Sequence, residues 1–211
     1  MAAGVDISGY KYESAAQSHA HQFLMPKVCE LLDRLELPRE DRRVFDLGCG
    51  NGSVAAELAG RGFAVIGVDP SEEGIRQAKA SFPDLRLETG SAYEPLAEKY
   101  GRFPVVLSLE VVEHVYAPRT YAKTLYDLVE PGGQAIISTP YHGYWKNLAL
   151  AVTGRMDRHF TALWDHGHIK FWSFRTLRAL LEEAGFSGIE FHRVGRVPAL
   201  ARSMFAVAKK N

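Results

Sequence analysis

The chain has 211 residues, enough for one domain with a full hydrophobic core. Its 25 basic and 25 acidic residues balance, so no overall charge draws it to nucleic acid or to an anionic membrane. It has no apolar run long enough to span a bilayer, no secretory signal pattern and no disulfide framework, which together predict a cytoplasmic protein.

The first part of the chain reads as a helical region. Apolar residues recur at helical spacing across residues 14–36, and Pro26 interrupts them, which predicts two helical pieces or one kinked helix. Polar side chains in and before this region are candidates for contacting a ligand.

A strand, a glycine loop and a helix follow. Strand Arg43–Leu47 runs into Gly48, Gly50 and Gly52, and a helix is predicted over residues 53–61. Glycines let a ligand approach the backbone closely, and the helix start offers free N–H groups. The second strand, residues 64–68, ends at Asp69, an acid placed to accept hydrogen bonds from two ribose hydroxyls.

The glycine spacing indicates which nucleoside ligand this loop suits. A dinucleotide loop reads G-x-G-x-x-G, and its third glycine packs tightly beside a pyrophosphate. Here the glycines form G-x-G-x-G, and Ser53 stands where that third glycine would be. The loop therefore favours an adenosine ligand that carries no pyrophosphate.

The rest of the chain alternates strands and helices, which predicts a doubly wound parallel sheet. Further strands are predicted at residues 85–88, Phe103–Leu109, 134–139, 189–194 and 204–209. Helices are predicted from the cap Ser71 to residue 81, over residues 121–129 and over residues 173–184. Residues 131–133 are predicted to stop the helix that precedes them.

Residues 140–172 form a connection too long for a simple strand-to-helix loop. They carry many aromatic and histidine side chains and follow the fifth strand, at the sheet edge where ligands bind. We interpret the segment as a substrate cap that contains a helix over Tyr144–Val152. The alternative is that its aromatic side chains simply pack on the sheet.

The ordered set of strand, Asp-Leu-Gly-Cys-Gly-Asn-Gly loop, helix, strand and acid resembles the class I S-adenosylmethionine-dependent methyltransferases. The run Leu-Glu-Val-Val-Glu-His-Val at positions 109–115 resembles the same stretch in the ubiquinone-biosynthesis O-methyltransferases. The resemblance implies an α/β, doubly wound, Rossmann-like sheet of seven strands with an antiparallel last strand and an aromatic cap after strand 5. One domain would comprise a helical cap (1–41), a cofactor core (42–139), the substrate cap (140–172) and a closing helix and hairpin (173–211).

The resemblance also implies site residues. S-adenosylmethionine would contact Asp46, Gly48, Cys49, Gly50, Asp69, Pro70, Ser91, Ala92, Leu109 and Glu110. Acid–base chemistry would fall to His168, His114 and Glu113, because imidazole titrates near neutral pH. His168 could instead orient the substrate, or be a structural histidine that hydrogen-bonds the cap to the sheet. Magnesium would bind Glu110, Glu113 and His114, although Glu-His-Val also occurs in relatives without a metal. Substrate would contact Tyr12, His21, Tyr141, His142, Trp145, Trp164 and His166.

The expected activity is methylation, with oxygen as the favoured acceptor atom, of a small apolar or aromatic molecule. Carbon or nitrogen methylation stays open because the fold does not fix the acceptor. A nicotinamide oxidoreductase and a cofactor-binding partner without catalysis are further alternatives. No nucleic-acid partner is expected, because the chain shows no basic stripe. The apolar run at 145–152 suggests peripheral contact with a membrane, and oligomeric state is left undetermined.

Overall fold

The computed structural model describes residues 19–164, 167–195 and 197–211. Within these ranges the strands are β1 (Arg43–Leu47), β2 (Ala64–Asp69), β3 (Arg86–Thr89), β4 (Phe103–Leu109), β5 (Val129–Pro140), β6 (Ser187–Val194) and β7 (Ser203–Lys209). The helices are α1 (His19–Asp33), α2 (Ser53–Gly60), α3 (Glu72–Ser81), α4 (Leu96–Tyr100), α5 (Pro118–Leu128), α6 (Tyr144–Val152), α7 (Met156–Phe160) and α8 (Phe174–Ala184). None of these helices is long and apolar enough to cross a membrane.

The strands form one sheet in the order β3-β2-β1-β4-β5-β7-β6. The first five strands pair in parallel, whereas β7 is antiparallel to both β5 and β6. This confirms the predicted doubly wound sheet of seven strands with an antiparallel last strand. The strand order reverses between β1 and β4, and such a reversal opens a ligand crevice at the carboxyl ends of the strands.

The sheet is buried on both faces, as a parallel sheet requires. All seven residues of β4 are buried. One face packs Phe45 and Val106 against Tyr121 and Leu125 of α5, together with α8. The other face packs against α1 and α2, so the two helical layers hold β1 and β4 rigidly beneath the crevice.

Two expected boundaries differ from the structure. Helix α1 is continuous through Pro26, so the expected division into two pieces is wrong. Pro26 lies on the exposed side, where water can donate to the carbonyl that the missing N–H leaves without a partner. The predicted stop at residues 131–133 lies inside β5. There the N–H of Gly132 donates to the carbonyl of Lys210 at 2.8 Å, and the N–H of Lys210 donates to Gly133 at 3.0 Å.

Residues 140–172 hold α6 and α7, and the predicted helix Tyr144–Val152 is confirmed. The end of this segment is fixed to the loop after β4. The carbonyl of Glu113 accepts from the N–H groups of Ile169 (2.9 Å) and Lys170 (3.0 Å), and the indole N–H of Trp172 donates to the carbonyl of Val112 at 3.0 Å.

Candidate functional site

The glycine loop after β1 depends on backbone conformations that favour glycine. Gly48 has φ 92°, Gly50 has 53° and Gly52 has 77°. The N–H groups of Gly48 and Cys49 both donate to the carbonyl of Val68, at 2.8 and 3.0 Å, which ties the loop to β2. A Cβ added at Gly48 would stand 2.3 Å from Cγ2 of Val111, so the loop directly contacts the segment that follows β4.

Asp69 closes the loop from the end of β2. Its Oδ2 accepts from the N–H of Gly50 at 2.9 Å, and its Oδ1 accepts from the N–H of Ser71 at 2.8 Å. The Ser71 side chain in turn caps α3, accepting from the N–H of Gly74 at 3.1 Å. Pro70 lies between Asp69 and Ser71, so these bonds hold the glycine loop, Asp69 and the start of α3 in fixed positions relative to one another.

Asp46 is a buried acid beneath the same loop. It is 2% exposed, and its Oδ2 finds no hydrogen-bond partner in the part of the chain that the structure describes. Burial, reinforced by the charge of Asp69, raises the pKa of Asp46 to about 7. A carboxyl group held in this way suits a cationic ligand group, whose charge would favour the ionised form.

The expected adenine-side residues lie at the ends of β3 and β4. Ser91 is half-buried; its N–H donates to Glu94 Oε1 at 3.0 Å, and its hydroxyl oxygen accepts from the N–H of Tyr93 at 3.2 Å. Ala92 is also half-buried, and Leu109 is 6% exposed. The Ser91 N–H is therefore already used within its own turn, whereas the hydroxyl hydrogen can still donate.

Glu110 begins the loop after β4 in a left-handed conformation, with φ 54°. Its Oε1 accepts from the hydroxyl of Ser138 at 2.8 Å, and its Oε2 accepts from the hydroxyl of Ser203 at 3.4 Å. Burial raises the pKa of Glu110 to about 7. These contacts turn its carboxylate toward β5 and β7.

Glu113 differs from the other acids of the site in its hydrogen bonding. It is 1% exposed, and neither carboxylate oxygen has a hydrogen-bond partner within residues 19–164, 167–195 and 197–211. Burial first, and the charge of Glu110 second, raise the pKa of Glu113. Its Oε1 lies 4.0 Å from Nε2 of His168.

Two imidazoles and an indole complete this group. The ring centroids of His114 and His168 are 4.9 Å apart, and Trp164 lies 5.7 Å from the first and 5.2 Å from the second. Nδ1 of His114 donates to the carbonyl of Gly167 at 3.2 Å, which leaves Nε2 as an acceptor when the ring is neutral. Burial, followed by the charge of His114, lowers the pKa of His168 to about 4.

The potential metal ligands that come together differ from the expected set. One ligand atom each from Glu113, His114 and His168 lies within 4.8 Å of the others. The expected set had Glu110 in the place of His168, but the Glu110 carboxylate bonds to Ser138 and Ser203 instead.

The expected substrate residues that the structure describes are spread over four environments. His142 is 7% exposed and packs with Phe160 and Phe171, while Trp164 joins the imidazole pair. Tyr141 is buried beside Phe174 and under the Arg193 guanidinium, as part of the hydrophobic core. Trp145 is 65% exposed on the outside of α6. Tyr12 and His166 lie outside the described residues, as does the side chain of His21.

Sequence reasoning missed three polar residues that border the site: Ser138, Ser203 and Lys146. The two serines bond to Glu110 from β5 and β7, and no local pattern signals that pairing. Lys146 is 9% exposed, and its Nζ donates to the carbonyl of Arg202 at 3.5 Å. Its signal was a lysine near the start of a largely apolar helical run.

Comparisons with known proteins identify the family of this chain. The model of a methyltransferase-domain family matches residues 16–190. The ubiquinone biosynthesis O-methyltransferase of Caulobacter sp. (strain K31) is 41% identical over 121 residues, covering 56% of this chain and 48% of that protein. Its counterpart in Ruegeria pomeroyi is 33% identical over 159 residues, covering 74% of this chain and 64% of that protein.

Solved structures share the fold. Magnesium protoporphyrin IX methyltransferase from Synechocystis PCC 6803, with bound SAH, has a TM-score of 0.69 at 20% identity, covering 97% of this chain and 91% of that one. Phosphoethanolamine N-methyltransferase 2 of Haemonchus contortus, in complex with S-adenosyl-L-methionine, has a TM-score of 0.61 at 16% identity, covering 88% and 52%. The chain spans about half the length of the Caulobacter relative that it matches. On its sequence and its fold, the chain belongs to the methyltransferase-domain family.

Proposed function

We propose that the chain transfers a methyl group from S-adenosylmethionine to an oxygen atom of a small apolar or aromatic acceptor. The observation that carries this proposal is the contact between Gly48 and Val111, because it joins the cofactor crevice to the loop that holds Glu113 and His114. A donor in the crevice would therefore lie beside the imidazole group. The relatives named O-methyltransferases support oxygen as the acceptor atom.

The chain's residues suit such a donor. Asp69 would accept from ribose hydroxyls, since a carboxylate oxygen accepts more than one hydrogen bond. Asp46 would face the cationic amino group of the methionine part. The backbone of Gly48, Cys49 and Gly50 would border the ligand, with Pro70, Ser91, Ala92, Leu109 and Glu110 around the adenosine. The solved neighbours with S-adenosylmethionine or SAH support this choice of cofactor.

We assign proton transfer to His168 and its orientation to Glu113, whose Oε1 is 4.0 Å from Nε2. The donor supplies an electrophilic methyl group on a sulfonium. His168 takes the acceptor's hydroxyl proton while the oxygen bonds to the methyl carbon and the carbon–sulfur bond breaks. His114 and Trp164 flank His168 and would fix the orientation of its ring.

The test is transfer of a labelled methyl group to catechols, phenols, prenylated phenols and sugars, with the product assigned by NMR. We expect methyl ethers, and a calorimetric titration that detects S-adenosylmethionine but not NAD. His168→Gln should lower kcat by about 100-fold and leave cofactor affinity unchanged. His192→Gln, on the distant strand β6, is the control. Methylation of carbon or nitrogen acceptors alone would contradict the oxygen assignment.

The same residues allow a metal-assisted variant of this reaction. Glu113, His114 and His168 offer one oxygen and two nitrogen ligands, and the unpartnered carboxylate of Glu113 fits a cation. A bound divalent ion would lower the pKa of an acceptor hydroxyl. Calorimetry with Mg²⁺, Mn²⁺ and Zn²⁺ on wild type and Glu113→Gln tests this directly. Full activity in a chelator, without measurable ion binding, would exclude a metal role.

We also propose peripheral membrane contact through the outer side of α6, to admit an acceptor with a lipid tail. Tyr144, Trp145 and Val152 are 73%, 65% and 78% exposed, and such aromatic and aliphatic groups insert at lipid interfaces. In flotation with neutral and anionic vesicles, Trp145→Ser should reduce binding, whereas Tyr116→Ser, an exposed tyrosine outside the cap, should not. Absence of wild-type binding at low salt would overturn this part.

A further inference from the structure

Glu110, the residue at which the chain leaves β4, has a backbone conformation that residues other than glycine rarely adopt. Its φ is 54°, and only two other non-glycine residues in the described ranges, Glu36 and Thr161, have a positive φ. Those two are exposed just after α1 and α7, whereas Glu110 is half-buried between a fully buried strand and the loop that carries Glu113. A left-handed residue of this kind persists only when its surroundings hold it there.

The hydroxyl of Ser138 holds Glu110 at two points. Ser138 Oγ accepts from the backbone N–H of Glu110 at 3.0 Å, and the same hydroxyl donates to Glu110 Oε1 at 2.8 Å. The N–H of Glu110 also donates to the carbonyl of Ser138 at 3.1 Å. Because a serine hydroxyl can donate and accept at once, a single side chain fixes both the backbone and the carboxylate of Glu110.

The position of Ser138 is itself fixed by the sheet. Ser138 is fully buried in β5, opposite Leu109 of β4 on one side and opposite Phe205 of β7 on the other. From β7, the hydroxyl of Ser203 donates to Glu110 Oε2 at 3.4 Å, a longer contact. Glu110 is therefore attached to the two strands that follow β4 in the sheet.

The conformation of Glu110 determines where the next residues lie. Val111 follows directly and is so close to the glycine loop that a Cβ on Gly48 would stand 2.3 Å from its Cγ2. The N–H of His114 donates to the carbonyl of Val111 at 2.9 Å, which closes a turn over residues 111–114. Since each residue has only two soft backbone dihedral angles, a change of φ at Glu110 would rotate this turn relative to β4, and Glu113 with it.

We propose that Ser138 is a positioning residue for methyl transfer. Its hydroxyl keeps Glu110 in the left-handed conformation, which places Val111 against the glycine loop and Glu113 beside His168. The effect on catalysis rests on the proposed function, whereas the hold of Ser138 on the loop after β4 does not.

The test follows exchange of backbone amide hydrogens by NMR in the isotope-labelled full chain. We expect the Glu110 amide of the wild type to be as protected as the amides of β4. Ser138→Ala removes both bonds of the hydroxyl and should raise the exchange rates of the Glu110 and His114 amides about tenfold. Ser138→Thr keeps a hydroxyl and should retain slow exchange.

Ser108→Ala is the matched control. Ser108 is also fully buried, lies on the neighbouring strand β4 and uses its Oγ to donate to the carbonyl of Leu47 at 2.9 Å. Its removal costs a comparable buried hydrogen bond without touching Glu110, so the amides of Glu110 and His114 should keep their wild-type exchange rates. A general loss of stability would instead raise exchange in both alanine variants.

Catalysis is measured on the same proteins. The kcat for methyl transfer should fall about tenfold in Ser138→Ala and stay at the wild-type value in Ser138→Thr and Ser108→Ala, because a small displacement of groups near the reacting atoms slows the reaction. Faster exchange confined to Ser138→Ala supports the hold on the loop even if no protein transfers methyl, in which case only the proposed function fails.

Four results would overturn the positioning role. They are unchanged exchange in Ser138→Ala, a rise of equal size in Ser138→Thr or Ser108→Ala, an unchanged kcat in Ser138→Ala when the wild type transfers methyl, and fast exchange of the Glu110 amide in the wild type. The last result needs no variant, so it decides the matter even if Ser138→Ala does not fold.

Discussion

Among single residues, Asp46 shows the clearest conflict between burial and charge. Its raised pKa means that the folded protein holds a proton that the unfolded chain releases near pH 4. Stability from this proton is therefore present at low pH and is lost as pH rises toward the folded pKa of about 7. A cationic ligand reverses the preference by favouring the ionised carboxylate.

We predict that S-adenosylmethionine binding at pH 7 releases roughly half a proton from Asp46. The groups facing Asp46 are Asp69, which opposes ionisation, and Cys49, a buried thiol that stays protonated. Calorimetry in buffers of different ionisation enthalpy measures the release, and its difference from Asp46→Asn separates Asp46 from the ligand's own amino group. Identical proton counts for both proteins would contradict the assignment.

Gly48 gives a second prediction at this scale. Gly48→Ala combines a φ of 92° with a Cβ 2.3 Å from Val111, so the loop must shift. We expect cofactor affinity to fall by about tenfold or more, equivalent to ~1.4 kcal/mol. Gly60→Ala, at a position with nothing within 4 Å of the added Cβ, is the matched control and should bind normally. Unchanged affinity in Gly48→Ala would show that the loop does not border the cofactor.

At the scale of elements, bounds that local sequence signals mark were predicted correctly, whereas a bound that depends on pairing with a distant residue was missed. Strands β1 and β4 have the predicted bounds because hydrophobic runs and flanking glycines mark them. The cap Ser71 also lies where local chemistry places it, and α8 ends at Gly185 in a left-handed conformation. The start of β5 was missed because its pairing depends on Lys210, about 80 residues away in the chain.

In the site too, contacts between residues close in sequence were predictable, and contacts between distant segments were not. The glycine loop and Asp69 are close in sequence and carry a recognisable spacing, so their meeting was predictable. Glu113 and His168 come from separate segments, and their 4.0 Å approach depends on how the cap folds back. The contacts of Lys146 and Ser203 depend on β7, which no local pattern links to β4.

Lys210 fixes the end of α5, and this gives an element-scale prediction. Its Nζ donates to the carbonyls of Tyr126 and Val129, both at 2.7 Å, where the helix leaves carbonyls without partners. Lys210→Met should lower the free energy of unfolding by about 1 to 3 kcal/mol, measured by urea denaturation. The neighbouring exposed Lys209→Met serves as the control. Equal stability of the two variants would mean that water satisfies the helix end.

At the scale of the whole molecule, the cap and the core are joined through backbone groups of the loop after β4. The indole of Trp172 and the N–H groups of Ile169 and Lys170 all bond to carbonyls of Val112 and Glu113. The position of His168 relative to Glu113 therefore depends on these bonds.

We predict that Trp172→Phe, which removes the indole donor but keeps a large ring, lowers kcat by about tenfold, or ~1.4 kcal/mol. Cofactor affinity should not change, because Trp172 is not among the residues proposed to contact the cofactor. Paired measurements of kcat and of the calorimetric cofactor affinity check this split. A parallel loss of both, with a lower melting temperature, would indicate general unfolding instead.

The place of β7 in the sheet has a consequence for synthesis. This strand lies between β5 and β6 although it comes last of the three in the chain, and all but its final residue are buried. During translation, the edge of β5 that pairs with β7 therefore stays without its partner strand until residue 209 has left the ribosome. The nascent domain is thus exposed to aggregation until β7 has emerged, and the Ser203 contact to Glu110 forms only as this strand enters the sheet.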